Sequence, residues 1–232
     1  MQQWSAEHVA AIAVTVALAA IAIAGARRWG DAWTTAFGRA LALVILAGFV
    51  CEQVTYALRG LWSAQVNLPL QLSDAVSLTA IAALWRPDVA LLVELVYFWS
   101  GSASVQAVLT PDLQQSFPDV LYFTYFATHA GAIVAACLLV FGARRTPRPN
   151  AVWRAYAITA AFAAVAGIAT ILTGGNYMFL RRKPAGGSLL DVMGPWPVYI
   201  AAGALLGLAL FFALDAMARP FARRSSASSS AA

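Results

Sequence analysis

Charged residues are the scarcest class in this sequence. They make up 11% of its 232 residues, against 61% apolar residues and a mean hydropathy of +0.73. Because a soluble domain carries about 25% charged residues, this composition excludes an ordinary soluble fold. It indicates an all-α, polytopic membrane helix bundle whose apolar side chains face lipid as well as a core, with no separate soluble domain.

Cysteine is nearly absent as well. Cys51 and Cys137 lie in apolar segments at different depths, so we predict no disulfide between them, and neither has a metal-ligand partner at a useful spacing. We therefore predict no metal and no cofactor. Lys and Arg are missing before the first apolar run, which argues against a cleaved signal peptide and predicts that residues 8–26 form a retained first helix.

The apolar segments that are long enough to cross a bilayer, at about 20 residues each, set the helix count. Seven qualify: residues 8–26, 34–58, 68–86, 88–110, 119–143, 151–174 and 195–218. We predict one seven-helix transmembrane domain over residues 1–224 and a disordered tail over 225–232. The third segment is short and polar at its start, and we expect Asn67 to cap it and Pro69 to lie in its first turn.

The distribution of basic residues predicts the orientation. With the N-terminus outside, ten basic residues lie at the inner face and four at the outer face, which favours an N-out, C-in, multi-pass protein of the cell membrane. The inner set is Arg27, Arg28, Arg86, Arg144, Arg145, Arg148, Arg154, Arg219, Arg223 and Arg224; the outer set is Arg59, Arg181, Arg182 and Lys183. Topology thus explains the net charge of +5, and we predict no nucleic-acid partner.

Small residues recur at a spacing that is typical of close helix packing. Gly203 and Gly207 form a GxxxG motif in the last segment, and Ala163 and Gly167 form a similar pair in the sixth. We predict that both pairs let helix backbones approach each other within the bundle.

The unusual polar residues cluster toward one membrane face. Because helix direction alternates, the loops after the second, fourth and sixth helices lie on the same side. Polar groups inside a bilayer are costly and by default mark a site or a pathway, so we predict a polar cavity open to the outer leaflet. The residues concerned are Glu52, Gln53, Tyr56, Gln71, Ser73, Asp74, Gln106, Thr110, Asp112, Tyr125, His129, Asn176, Tyr177, Asp191 and Trp196.

Several of these residues share a helix face. One stripe consists of Tyr122, Tyr125 and His129, at i, i+3 and i+7. Another consists of Glu52, Tyr56 and Arg59, in which Glu52 and Arg59 can pair through a local network. Glu94, nearer the inner side, is interpreted as a separate packing or pairing residue.

Each candidate also has a structural interpretation. His129 can be a hydrogen-bonded histidine inside the bundle, and Asp74 can act as a helix cap. The cluster of Arg181, Arg182 and Lys183 either extends to the headgroup region or binds lipid phosphate. Trp196 fits an interfacial aromatic belt.

A series of motifs resembles the YwaF-like family of bacterial integral membrane proteins. The motifs are "LPLQLSD" (68–74), "VYFWSGSASVQAVLTPDL" (96–113), "FPD" (117–119), "YFATHAG" (125–131), "GGNYMFLRRKP" (174–184) and "SLLDVMGPWPVYI" (188–200). The resemblance covers about residues 30–215. It implies a distant relationship to a eukaryotic transmembrane family that includes a cysteine-centre phospholipid acyltransferase.

The resemblance implies a nucleophile at Ser73 and a histidine, His129, on a later helix, for lipid acyl transfer or ester hydrolysis. Many bacterial members of that family carry His and Cys where this chain has Gln71 and Ser73. A serine needs a base within hydrogen-bond reach, and His129 is the candidate, oriented by Asp74 or Asp191.

The remaining roles complete this hypothesis. Asn176 is expected to help hold the oxyanion, and the basic cluster to hold the phosphate of a membrane lipid, the predicted partner. Further substrate-binding residues are predicted at Gln71, Gln106, Tyr125, Tyr177, Arg181, Arg182, Lys183, Asp191 and Trp196. Two alternatives stay open: a transporter or a lipid- or small-molecule-binding protein that uses the cavity without covalent chemistry, and a non-catalytic membrane partner.

Overall fold

A computed structural model of the chain describes residues 1–184 and 188–229, and within these ranges the regular structure is helical throughout. The six helices are α1 (Ala6–Leu58), α2 (Leu72–Trp85), α3 (Ala90–Leu109), α4 (Val120–Gly142), α5 (Ala151–Thr173) and α6 (Val198–Ser229). Short π-helical stretches, Ser100–Ser104 and Cys137–Gly142, lie inside α3 and α4. Helices suit a lipid environment because they satisfy their own backbone hydrogen bonds.

Five of these helices are long and apolar enough to cross a membrane: α1, α3, α4, α5 and residues Val198–Ala222 of α6. The sixth, α2, is apolar but shorter, with 14 residues. The predicted all-α membrane class is therefore confirmed.

Helix α1 consists of two arms that meet at Gly30. Its φ of 71° and ψ of −155° fall in a region that is essentially restricted to glycine, so the helix direction changes there. Near the start of the first arm, Glu7 accepts a hydrogen bond from the Phe117 amide at 3.0 Å, just before α4. Near its end, Arg27 donates to the Phe141 carbonyl at 3.0 Å, at the far end of α4.

The second arm of α1 returns along α4 in the opposite direction. A Cβ built at Gly131 would lie 2.6 Å from Ile45 Cγ1, which puts the middles of the two helices in direct contact. At the end of the arm, Arg59 forms an ion pair of 3.0 Å with Asp119, the N-cap residue of α4. The two arms therefore correspond to the predicted segments 8–26 and 34–58.

Helix α2 begins at Leu72, later than predicted. Gln71 is its N-cap residue, and the Asp74 carboxylate accepts a hydrogen bond from the Gln71 amide at 3.1 Å. The prediction that Asn67 caps this helix is wrong, because the Asn67 side-chain oxygen instead accepts from the Ser63 amide at 3.0 Å, within the preceding loop. Pro69 consequently lies in that loop and not in the first helical turn.

Hydrogen bonds between distant segments gather several loops at one end of the bundle, here called the cavity end. The N-terminal amine donates to the Leu113 carbonyl at 2.6 Å, and the Tyr177 hydroxyl donates to the Ala64 carbonyl at 2.6 Å. The chain start and the loops after α1, α3 and α5 therefore meet there, as alternating helix direction requires.

The opposite end, here called the ion-pair end, is held together by a buried carboxylate. Glu94 is 1% exposed and pairs with Arg148 and Arg154, each with a shortest distance of 2.8 Å. Arg145 donates to the Pro87 carbonyl at 2.9 Å in the same region. The interpretation of Glu94 as a pairing residue is confirmed.

Helix α6 continues through residues 225–229 of the predicted disordered tail, while residues 230–232 lie outside the described ranges. That the tail is disordered stays a prediction.

Candidate functional site

A cavity of about 800 Å³ opens into the helix bundle from the cavity end. All six helices contribute to its wall, together with the loops after α3 and α5. Of the predicted site residues, the wall includes Gln71, Ser73, Asp74, Gln106, Tyr125 and His129. Asn176, Tyr177, Arg181, Arg182, Lys183, Asp191 and Trp196 belong to the loop around the cavity and do not line it.

Ser73 lies in the first turn of α2 and faces the cavity. Its hydroxyl has no hydrogen-bond partner within residues 1–184 and 188–229, although a serine in a membrane helix commonly bonds to its own backbone. Ser77, one turn further on, follows that rule and donates to the Ser73 carbonyl at 2.9 Å. Ser73 thus presents a free hydroxyl to the cavity, and Ser77 does not.

His129 lies midway along α4 and also faces the cavity. Its Nδ1 is 2.8 Å from the Tyr125 carbonyl, which can only accept, so this nitrogen carries the proton. The Tyr125 ring stacks on the imidazole, with centroids 4.1 Å apart, and its hydroxyl is held by the Ala107 carbonyl at 2.9 Å. Nε2 is therefore left with a lone pair and has no partner among the residues that the structure describes.

The other histidine of the chain, His8, has no free ring nitrogen. His8 is fully buried, with Nδ1 accepting from the Trp4 amide at 2.9 Å and Nε2 donating to the Val108 carbonyl at 2.8 Å. Both ring nitrogens are used, so His8 is structural. Only His129 has the free nitrogen that a general base needs.

Asp74 does not orient His129 in this structure. Its carboxylate caps α2 through the Gln71 amide, while the Tyr125 backbone holds the histidine ring. The structural interpretation of Asp74 as a helix cap therefore describes its observed contact. Asp191 makes a similar local bond, accepting from the Ser188 amide at 2.7 Å.

Gln71 and Tyr177 join α2 to the loop after α5. The Gln71 side-chain oxygen accepts from the Met178 amide at 2.8 Å. The Tyr177 hydroxyl accepts from the Leu68 amide at 3.1 Å while it donates to Ala64, and burial raises the pKa of this phenol. These two side chains hold the rim of the cavity in place, and Gln71 also forms part of its wall.

Asn176 stabilises the loop that follows α5. Its side-chain oxygen accepts from the Arg181 and Arg182 amides at 3.1 Å, and its nitrogen donates to the Arg182 carbonyl at 2.9 Å. The amide is thus engaged within the loop and does not point a donor at the cavity.

The basic cluster, Arg181, Arg182 and Lys183, lies on the rim of the cavity. Leu180 and Pro184, which flank the cluster in sequence, both line the cavity. Lys183 Nζ lies 5.6 Å from the centre of the Tyr199 ring. Trp196, 63% exposed, donates to the Leu180 carbonyl at 3.1 Å and so braces the same rim.

Glu52 lines the cavity wall and makes no ion pair with Arg59. The helix stripe allowed Glu52 to pair with Arg59, but Arg59 instead contacts both Asp119 carboxylate oxygens at 3.0 and 3.1 Å. Glu52 has no ion-pair partner in the described part of the chain and faces the cavity together with Asp74. The signal for this role was a carboxylate inside an apolar helix, which marks a site by default.

The glycines of the last helix also differ from prediction. Gly203 and Gly207 both line the cavity, and a Cβ built at Gly207 would meet no atom within 4 Å. The prediction that they bring two helix backbones together is therefore wrong, because their small faces border open space.

Groups of three or more His, Cys, Asp or Glu side chains that could hold a metal ion are not found within residues 1–184 and 188–229. Comparison with protein-family models gives a match to the TMEM164 family over residues 3–215. Comparisons with curated proteins and with solved structures give no match.

Proposed function

This chain belongs to the TMEM164 family, a family of transmembrane proteins, and on that premise we propose that it binds a membrane lipid in the cavity and cleaves or transfers an acyl ester there. The supporting observation is that one cavity wall carries both the free Ser73 hydroxyl and the free Nε2 of His129. The resemblance to YwaF-like proteins and to a phospholipid acyltransferase family favours the same chemistry.

The proposed reaction begins with attack of Ser73 Oγ on the carbonyl carbon of a lipid ester. His129 Nε2 accepts the hydroxyl proton, the ester C–O bond breaks, and the proton passes from the imidazolium to the departing alcohol oxygen. Water or the hydroxyl of a second lipid then attacks the acyl-serine, again through His129, and restores the free serine. The Tyr125 carbonyl stabilises the imidazolium through Nδ1, in place of the carboxylate of a catalytic triad.

We assign the lipid phosphate to the basic cluster on the rim. The guanidinium groups of Arg181 and Arg182 are exposed beside residues that line the cavity, where a headgroup would lie when the acyl ester is inside. Arginine suits this role because its planar donors match phosphate oxygens.

We further propose seven crossings of the cell membrane, with the cavity end outside and the C-terminus inside. The two arms of α1 supply two crossings, and each of the other five helices supplies one. The predominance of arginine at the ion-pair end supports this orientation.

A second candidate function is lipid binding or transport without covalent chemistry. It is favoured by the contacts of Asp74, which is engaged in capping α2 rather than in orienting His129. It also accounts for Ser73 and His129 having no hydrogen bond to each other in the described structure.

The test uses the purified full chain and an alkyl fluorophosphonate probe, which labels activated serines. We expect wild type to be labelled, Ser73→Ala to lose labelling, and His129→Gln to be labelled at least about 100-fold more slowly, as removal of a general base predicts. Ser77→Ala is the matched control, because Ser77 is on the same helix with its hydroxyl bonded to the backbone.

Labelling that persists in Ser73→Ala, or that is lost equally in Ser77→Ala, would exclude Ser73 as the nucleophile. An unlabelled wild type would do the same. Lipids that remain bound to all of these variants would then support the second candidate.

A further inference from the structure

The deep part of the cavity is mostly apolar and is bordered in part by small residues. We infer that it holds one acyl chain of the bound lipid and that Gly203 and Gly207 set the length of chain it accepts. This inference rests on the lipid-binding part of the proposed function and adds the specificity-determining residues.

The cavity follows α6 over a length that suits an acyl chain. Lining residues on this helix run from Tyr199, whose hydroxyl donates to the Phe179 carbonyl at the cavity end, to Phe211. These positions are about 18 Å apart at 1.5 Å per residue. Half of a bilayer hydrocarbon core is about 15 Å thick, so the depth is close to that of one layer of acyl chains.

The end of the cavity is closed by packed aromatic rings. Phe211 is 2% exposed, and its ring lies 5.0 Å from Phe98 and 6.5 Å from Tyr156, measured between centroids. A chain that enters from the cavity end therefore meets a fixed floor. Its maximum length depends on the space above that floor.

The two glycines keep that space open. A Cβ built at Gly207 meets nothing within 4 Å, and one built at Gly203 meets only Leu190 Cδ2 at 3.9 Å. Ala160 and Ala163 contribute similarly small side chains from α5. Any larger residue at Gly207 would point into the cavity about 6 Å above Phe211, because four residues of helix separate them.

An acyl chain is the occupant that this lining favours. The residues that border the lower part are mostly apolar, among them Leu206 and Leu210. The two hydroxyls there already have partners, since Tyr156 donates to the Ala204 carbonyl at 3.3 Å and Thr159 donates to the Ala155 carbonyl at 2.7 Å. Apolar cavities do not hold ordered water. Ser73 and Asp74 lie toward the opposite part, where α2 begins, and His129 lies midway along α4. This arrangement matches a lipid with its ester near Ser73 and its chain directed toward Phe211.

The test measures retention of phospholipids with one headgroup and increasing chain length by the full chain in detergent, using native mass spectrometry. We expect Gly207→Leu to retain the longest lipids about tenfold less than wild type, the effect of losing about two buried methylene groups, while the shortest lipids are unaffected. Gly203→Leu should move the optimum to still shorter chains.

Ala209→Leu is the matched control, because Ala209 is exposed on the same helix and does not line the cavity. Gly207→Ala, which adds one methyl group, provides a milder variant if Gly207→Leu does not fold. An unchanged length profile in the Gly207 variants, or the same shift in Ala209→Leu, would overturn the inference.

The same measurement in Ser73→Ala separates this inference from the proposed catalysis. Retention does not require a nucleophile, so the length profile should persist in that variant. A shifted profile in Gly207→Leu without any serine labelling would support the chain-length role and reject the enzyme. Normal labelling with an unshifted profile would reject the chain-length role alone.

Discussion

At the scale of single residues, chemistry in this bundle depends on which polar atoms lack a partner. The chain contains two histidines, and His8 has both ring nitrogens bonded whereas His129 has only one. The same contrast separates Ser73 from Ser77 on α2. Residue type alone does not make these distinctions, since each depends on a carbonyl or amide supplied by the fold.

Asp119, just before α4, gives a pH-dependent prediction at this scale. The hydrogen bond from the Leu121 amide at 2.8 Å and the ion pair with Arg59 keep the pKa of Asp119 below its ordinary value of 3.8. Because the folded pKa is the lower one, the carboxylate stabilises the fold above pH 3.8, and this contribution disappears as pH falls through the folded pKa. Asp119→Asn should therefore melt at a lower temperature than wild type at neutral pH.

Thermal unfolding in detergent across acidic pH checks this expectation. The difference in melting temperature between wild type and Asp119→Asn should stay constant down to about pH 4 and shrink below it. Ser116→Ala, on the exposed loop nearby, should parallel wild type throughout. A difference that is already lost near pH 6 would contradict the assigned pKa direction.

At the scale of helices, the second arm of α1 packs closely against α4. Gly131 is the tightest point, since a Cβ there would lie 2.6 Å from Ile45 Cγ1. Gly131 lies on α4, whereas Gly38 lies on the second arm of α1. A Cβ built at Gly38 would lie 3.4 Å from Leu84, close to an ordinary contact distance. The two glycines therefore differ in how much space surrounds them.

Replacing each glycine by alanine should have opposite effects. In a helix, alanine is more favourable than glycine by about 1 kcal/mol, so Gly38→Ala should be neutral or slightly stabilising. Gly131→Ala should lower the free energy of unfolding by about 1–3 kcal/mol, because overpacking against Ile45 outweighs that gain. Chemical denaturation measures both variants, and the double variant Gly131→Ala with Ile45→Val should recover part of the loss. Equal effects of the two single variants would show that this contact does not limit packing.

Sequence patterns predicted where the helical segments lie better than which residues contact each other. Apolar length was sufficient to identify the all-α membrane class and the polar start of α2. It was not sufficient to show that Arg59 pairs with Asp119, 60 residues away, because that contact depends on how α1 lies along α4. The GxxxG motif likewise specified a small surface at Gly203 and Gly207 but not what faces it. The loop before α2 is likewise contacted at Leu68 by Tyr177, which comes from a distant segment.

At the scale of the whole molecule, the two ends of the bundle differ in whether their polar groups are paired. The ion-pair end closes around Glu94, whose two arginine partners come from the α4–α5 loop and from α5. The cavity end instead leaves polar atoms of Ser73 and His129 without partners. The bundle is thus fixed at one end, and the other end is left open for the proposed lipid.

The orientation of these two ends in the membrane can be tested with single cysteines. After Cys51 and Cys137 are replaced by alanine, Ser116→Cys introduces a thiol in an exposed loop at the cavity end, and Asp31→Cys introduces one beside Gly30. Aspartate contributes little to topology, so the second substitution should not reorient the chain. With the proposed seven crossings, a membrane-impermeant maleimide should label Ser116→Cys on intact cells and Asp31→Cys only after permeabilisation. Labelling of both sites on intact cells would mean that the two arms of α1 do not cross the membrane. The reverse pattern would place the cavity end, and with it the proposed lipid site, on the inner side.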